Sequence, residues 1–405
     1  MGQKGKNIVV VVTLDTKGEE ALYLKELIKK RGHHPLVIDI GIGGAVPFQP
    51  DFTREEVALV TGRSLEEIRK STHTHSDVLA AMAIGAKSII QNLIAQRKID
   101  GLLSIGGGLG TTQASMIMSE LPLNVPKLIL STVAFVPGAI NSEMVSIDQA
   151  MMQSASDLWG LNSITRMALQ RAAGAICGMV EEQEEEGEEK PRVAISTLGL
   201  HTYVGRCKSL LLENGYEPVV FHSIGTGGLE KLVRQGYFMG TLDLSCYELV
   251  SYVCGGIAKG GEEKFTAACE KGIPQVIGSG GLDFFPLFAS QPIPAELRKR
   301  TVFSQGMVNL IKTTPQEQEK TATLLAEKIN KASAPAVVLV PLGGFSKLDR
   351  SKEMPFYEPE AGRRFVTVLK EKVSNPLVEI EEIEAHINDL VFAERATTLL
   401  LGKMS

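Results

Sequence analysis

Several things are scarce in this 405-residue chain, and each scarcity excludes something. Five cysteines, Cys177, Cys207, Cys246, Cys254 and Cys269, are scattered and never stand at C-x-x-C spacing. That excludes a disulfide scaffold and points to a reduced, cytoplasmic compartment. No run of about 18 apolar residues is present, so no membrane-spanning helix is expected. Met1 to Lys6 lacks the long apolar region and cleavage site of a signal peptide. Lys and Arg number 42 against 47 Asp and Glu, with no basic block, which argues against a nucleic-acid face. A GxxxxGK[ST] loop is missing, which excludes ordinary P-loop hydrolysis, and so is a GxSxG elbow.

What is there is organised around Leu102 to Thr112 (LLSIGGGLGTT). A short apolar run reads as a buried strand, Gly106, Gly107, Gly108 and Gly110 follow, and Thr111-Thr112 lead into a helical segment. Strand, glycine turn and helix start are the parts of a phosphate cradle, in which bare amides and the helix dipole face an anion. The same stretch also reads as a tight strand-to-helix turn that binds nothing. Valine at position 107 is expected to block the approach of a ligand and to clash in a left-handed turn.

The N-terminal half begins with Asn7 to Leu14 (NIVVVVTL), a β-branched run suited to a strand buried on both faces. Asp15-Thr16-Lys17-Gly18 reads as its turn and Glu19 to Arg31 as a helix capped by Gly32. Leu36 to Ile40 is a second strand, which makes a βαβ start. Asp39 ends that strand where dinucleotide folds hold a ribose hydroxyl, although the first turn is TLDTKG and not GxGxxG; a solvated strand end is the alternative. Lys17 is a candidate phosphate contact or a surface lysine. Asp15 and Glu19 could share a magnesium ion, or Glu19 could serve the helix dipole. Ser131-Thr132 closes the strand Lys127 to Leu130 at the crevice side. His73 and His75 stand two apart but have no evident third ligand.

Glu181 to Lys190 (EEQEEEGEEK) reads as a solvated linker. The expected organisation is an N-terminal domain over 1–180, a linker over 181–191 and a C-terminal domain over 192–405. Both domains read as α/β, Rossmann-like open sheets of mostly parallel strands. Thr13 to Gly43 and Thr197 to Gly227 span the same 30 positions, as two related halves would. In the second half strands are predicted at Arg192 to Leu198, Pro218 to His222, Tyr237 to Leu242, Gln275 to Ile277 and Ala336 to Val340. Gly278-Ser279-Gly280-Gly281 reads as a turn, and Ile383 to Leu401 as a helix. His222 is a candidate acid or base, with Asp243 and Glu248 completing the site; a hydrogen-bonded histidine and two capping acids are the alternative.

Taken together, the TLDTKGE turn at 13–19, the GGGLGT run at 106–111, Ser131-Thr132, Gly160-Leu161-Asn162, Phe221-His222 with Gly225-Thr226-Gly227-Gly228, and Gly272-Ile273-Pro274-Gln275 are recognisable. They resemble the Tm-one-like ATP-binding domain family of bacterial and fungal proteins, which also forms the N-terminal module of a plant tobamovirus-resistance protein. The resemblance implies two Rossmann-like domains, an ATP site in the first, and a homodimer. Carried over, the TLDTKG turn (Thr13, Asp15, Thr16, Lys17) and the glycine-Thr111-Thr112 loop would take the phosphates. The chain departs from the family pattern at Asn141 to Ser146, at Leu244 to Tyr247 and at Ser304-Gln305. The first departure weakens the carry-over near Asp148, and the others put second-domain chemistry in question. The leading expectation is ATP binding, with magnesium as a possible companion. One alternative is an enzyme that acts on a small phosphorylated or carboxylated metabolite in the interdomain cleft, with His222 as acid or base. Another is a non-catalytic, ATP-dependent interaction module.

Overall fold

The structure is a computed structural model that describes residues 5–71, 75–119, 121–136, 148–182, 189–224, 227–258 and 260–404. The chain separates into two compact units, 1–186 and 187–405.

In the first unit β1 (Asn7–Val12), α1 (Leu14–Lys30) and β2 (His34–Asp39) come first. Then follow α2 (Arg54–Leu59), α3 (Leu65–Ser71), α4 (His75–Ala95), β3 (Gly101–Gly106), α5 (Gly108–Met118), β4 (Lys127–Ser131), β5 (Ala150–Gln153) and α6 (Ser163–Glu181). The sheet has the order β2-β1-β3-β4-β5, and every pairing is parallel. Side chains alternate across it: Val9 and Val11 enter the core under α4 and α5, while Ile8, Val10 and Val12 enter the core under α1 and α6. Both faces are therefore buried, which is why β1 reads as one unbroken apolar run. The strand order reverses between β1 and β3. In an open α/β sheet the ligand crevice lies at the carboxyl ends of the strands flanking that reversal.

The second unit runs β6 (Arg192–Thr197), α7 (Val204–Glu213), β7 (Glu217–His222), α8 (Gly228–Arg234), β8 (Gly240–Ser245), α9 (Tyr247–Cys254), α10 (Thr266–Lys271) and β9 (Gln275–Gly280). It continues with β10 (Phe284–Phe288), β11 (Val302–Gln305), β12 (Val308–Lys312), α11 (Pro315–Ile329), β13 (Ala336–Pro341), α12 (Ala361–Lys372), β14 (Val378–Ile383) and α13 (Leu390–Met404). Its main sheet, β14-β13-β9-β8-β6-β7, is parallel throughout, and β10-β12-β11 form a separate antiparallel sheet. Here too the first strand, β6, lies between the second and the third.

Several expectations are corrected. Helix α1 starts at Leu14 and not at Glu19, because Asp39 accepts the Leu14 N–H at 3.0 Å and caps the helix from another strand. Lys17, at φ −128° and ψ 27°, kinks it. Gly278 and Gly280 are not in a turn but inside β9, where a Cβ would stand 2.8 and 2.6 Å from the Leu244 carbonyl oxygen. The glycines let β8 and β9 approach each other. Residues 378–383 are an edge strand, so the final helix is shorter than expected. Among the described residues one helix, Asp77–Ala95, is long and apolar enough to cross a membrane, and it packs on the sheet through Met82, Ala86 and Ile90.

Candidate functional site

The two loops that flank the strand-order reversal in the first unit meet on one cleft of about 380 Å³. Thr13, Asp15, Thr16 and Lys17, after β1, line one wall, and Gly106, Gly107, Gly108 and Gly110, after β3, line the other. Gly107 is the N-cap of α5, and among the described residues no side chain caps the helix. The N–H groups of Gly107, Gly108, Leu109 and Gly110 lie before the first intrahelical bond, Thr111 N to Gly107 O at 2.8 Å. Among the described residues none of the four meets an acceptor.

The glycines do different jobs. A Cβ on Gly106 would stand 2.9 Å from Gly110 Cα, so Gly106 lets the strand end close against the first turn of α5. Gly108 has nothing within 4 Å, and Gly107 meets only Thr132 Oγ1, at 3.6 Å. Side chains there would fill cleft and not protein. The expectation of a left-handed turn at Gly107 is corrected: its φ is −81°, in the extended region open to any residue.

Lys17 extends its ammonium to the Leu158 carbonyl and lies 5.6 Å from the centre of the Trp159 ring. Asp15 accepts the Gly43 N–H at 2.9 Å and the Ile42 N–H at 3.2 Å through Oδ2, while its Oδ1 is buried without a partner. Thr13 and Thr16 hydroxyls bond each other at 2.7 Å.

Other predicted residues are placed elsewhere. Asp39, 1% exposed, accepts from Leu14 N and Gly41 N and pairs with Arg54 Nε at 2.8 Å. It is a buried structural ion-pair member and does not line the cleft, so the ribose role loses its geometry. Thr111 and Ser131 are buried and share a hydrogen bond of 2.7 Å. Thr112 Oγ1 donates back to the Gly108 carbonyl, and Thr132 N donates to the Gly106 carbonyl. Of the Ser-Thr pair, Thr132 has its hydroxyl beside Gly107, whereas the Ser131 hydroxyl is spent on Thr111. Sequence reasoning missed Gln113 and Leu79, which complete the cleft. Gln113, a buried amide in the apolar face of α5, was the readable signal. His73 and Asn141 to Ser146 lie outside the described residues, as does the side chain of His75.

In the second unit His222 is exposed at the end of edge strand β7, whereas Asp243 and Glu248 are buried. Both carboxylates face a residue the sequence did not flag. Lys264 Nζ stands 2.9 Å from Asp243, 2.8 Å from Glu248 and 3.5 Å from Glu230. Burial alone would lower the lysine pKa, but the three carboxylates outweigh it and hold the ammonium well charged. Burial raises Glu230 and Asp243 against the pull of Lys264. The trio is therefore not a free acid-base set, because two members belong to a buried ionic cluster. The cavity joining His222 to Glu248 and Lys264 is about 10 Å³, room for one water and not for a metabolite. Gly225 and Thr226 lie outside the described residues.

Among the described residues no three His, Cys, Asp or Glu side chains are grouped to hold a metal ion. An all-protein cage is thus not offered. Asp15, which lines the cleft and has one carboxylate oxygen without a partner among the described residues, fits the lesser role of one carboxylate toward a magnesium ion carried largely by phosphate oxygens and water.

Comparison with known proteins bears on the whole chain. Residues 6–185 match the Uncharacterised protein family (UPF0261) N-terminal domain, and residues 190–404 match its C-terminal domain. A UPF0261 protein of Clostridium tetani is 35% identical over 404 residues, 98% of this chain and 99% of that one. The ToMV resistance protein Tm-1(GCR237) of Solanum lycopersicum is 33% identical over 326 residues, 78% of this chain and 43% of that protein. Among solved structures, the glycosyltransferase SnogD from Streptomyces nogalater aligns over 99% of this chain and 100% of that one, at 11% identity and a TM-score of 0.23. A likeness that faint carries no argument about the site. Matched along nearly its full length at both domains, the chain belongs to the UPF0261 family.

Proposed function

We propose that the first unit binds a nucleoside triphosphate, ATP by the resemblance noted above, with its phosphates against the head of α5. One observation carries this: two loops at the strand-order reversal converge on a cleft beside four amides that meet no acceptor among the described residues. The α5 dipole adds favourable charge, and Lys17 stands alongside. Asp15 lines the same cleft, and its carboxylate charge would repel a bare phosphate there. A divalent cation between the two removes that repulsion, so the nucleotide is expected as its magnesium complex. Amides and an ammonium also suit a sugar phosphate, and the ligand series of the test separates the two.

Isothermal titration with ATP and magnesium is the test, with sugar phosphates as competitors. ATP should bind in the micromolar range, more weakly when magnesium is chelated. Gly107→Val, compatible with the backbone at φ −81°, should fold and lose the ligand. Affinity no tighter than about 1 mM, or affinity unchanged by Gly107→Val, overturns the reading.

A further inference from the structure

Trp159 is the only tryptophan in the chain, and it is 83% exposed. Tryptophan is ordinarily well buried, so a ring left in water calls for a reason. It borders a second hollow, of about 700 Å³, lined also by Glu19, Val46 and Pro47. That hollow and the amide-lined cleft share Asp15 and Thr16, so they meet over the first turn of α1. Lys17 bridges them: it lines the cleft, and its ammonium sits 5.6 Å from the Trp159 ring centre.

The segment carrying the ring is pinned on both sides. Leu158 gives its carbonyl to Lys17, and Gly160 donates its N–H to the buried Glu20 carboxylate at 2.7 Å. Asn162 then caps α6 through Ile164 N and Thr165 N. The backbone on either side of the ring is thus held in place. Glu19, exposed, has no partner among the described residues, and its Oε2 lies 3.9 Å from where a Cβ on Gly160 would stand.

We propose that Trp159 and Glu19 form the base-selecting half of the nucleotide site. Trp159 stacks the base, and the Glu19 carboxylate accepts from an exocyclic amino group such as that of adenine. The inference rests on the phosphate reading of the glycine cleft. The chemistry discriminates. An aromatic base has a face for Trp159, whereas inorganic tripolyphosphate and sugar phosphates have none. A base with oxygen in place of the amino group, as in ITP, sets oxygen against a carboxylate.

The emission of the single tryptophan reads the first step directly. Titration with MgATP should change Trp159 emission saturably, and magnesium tripolyphosphate should bind about 10-fold more weakly. Calorimetry then follows the variants. Trp159→Ala should bring ATP down to the tripolyphosphate affinity and leave tripolyphosphate untouched, while Trp159→Phe keeps part of the gap. Glu19→Gln should narrow the difference between ATP and ITP. Equal affinities for ATP and tripolyphosphate, with Trp159→Ala silent on both, overturn base selection here and leave the phosphate cradle standing. Binding of neither, or binding of both indifferent to Gly107→Val, overturns the cradle, and base selection falls with it.

Discussion

Asp39 Oδ1 accepts the main-chain N–H of Leu14 at 3.0 Å, which fastens the head of α1 to the end of β2. Its other oxygen holds Arg54 at 2.8 Å, and Arg54 in turn holds the Gly43 carbonyl. Asp39→Ala therefore strands a buried guanidinium. The expected cost is about 3–5 kcal/mol in urea unfolding followed by circular dichroism. A ribose contact would predict the opposite pattern, with affinity lost and stability kept.

Gly106 and Gly108 should separate packing from binding. Gly106→Ala places a Cβ 2.9 Å from backbone and should destabilise by roughly 1–3 kcal/mol. Gly108→Ala meets nothing within 4 Å and should hold or slightly raise stability while weakening the nucleotide. Paired denaturation and calorimetry on the two variants decide it. Equal stability losses would sink the distinction.

Lys264→Met leaves Glu230, Asp243 and Glu248 buried without their shared ammonium. A loss of about 3–5 kcal/mol is expected at pH 8. At pH 5 the deficit should shrink, because burial raises Glu230 and Asp243 and they take up protons readily once the lysine is gone. A deficit independent of pH would show that the carboxylates are not charged partners.

Asp283 supplies a pH dependence of definite sign. Burial, together with the neighbouring Asp349 charge, lifts its pKa well above the carboxylate range, and Ser346 donates to it at 2.6 Å. The folded state thus holds a proton the unfolded state releases. Its contribution is fully present below the unfolded carboxyl pKa and is lost as pH rises toward the folded value. Asp283→Asn should therefore be more stable than the native chain at pH 8, with the gap closing near pH 4. Thermal unfolding at the two pH values checks this.

The apolar runs of β1, β3, β4, β6 and β13 were legible because strands buried on both faces leave no gaps in hydrophobicity. β14 (VEIEEI) was not, since the glutamates of this edge strand interrupt its apolar run. β5 (AMMQ) is too short and too poor in β-branched residues to announce itself. At the site the glycines were legible by type. The direction of a side chain was not: Thr111 and Ser131 point at each other, and Asp39 points at Arg54. Lys264 was missed because nothing in GGEEKFTAAC distinguishes a buried lysine from a solvated one. Its three partners come from α8, β8 and α9, so only the fold assembles them.

A chromophore that already sits in water when the protein is native has little left to report when the chain melts. Trp159 emission should stay nearly flat through denaturation. Calorimetric or ellipticity melts are then needed to see collapse of the two units, while any spectral change below the melting range belongs to whatever has settled against that one ring.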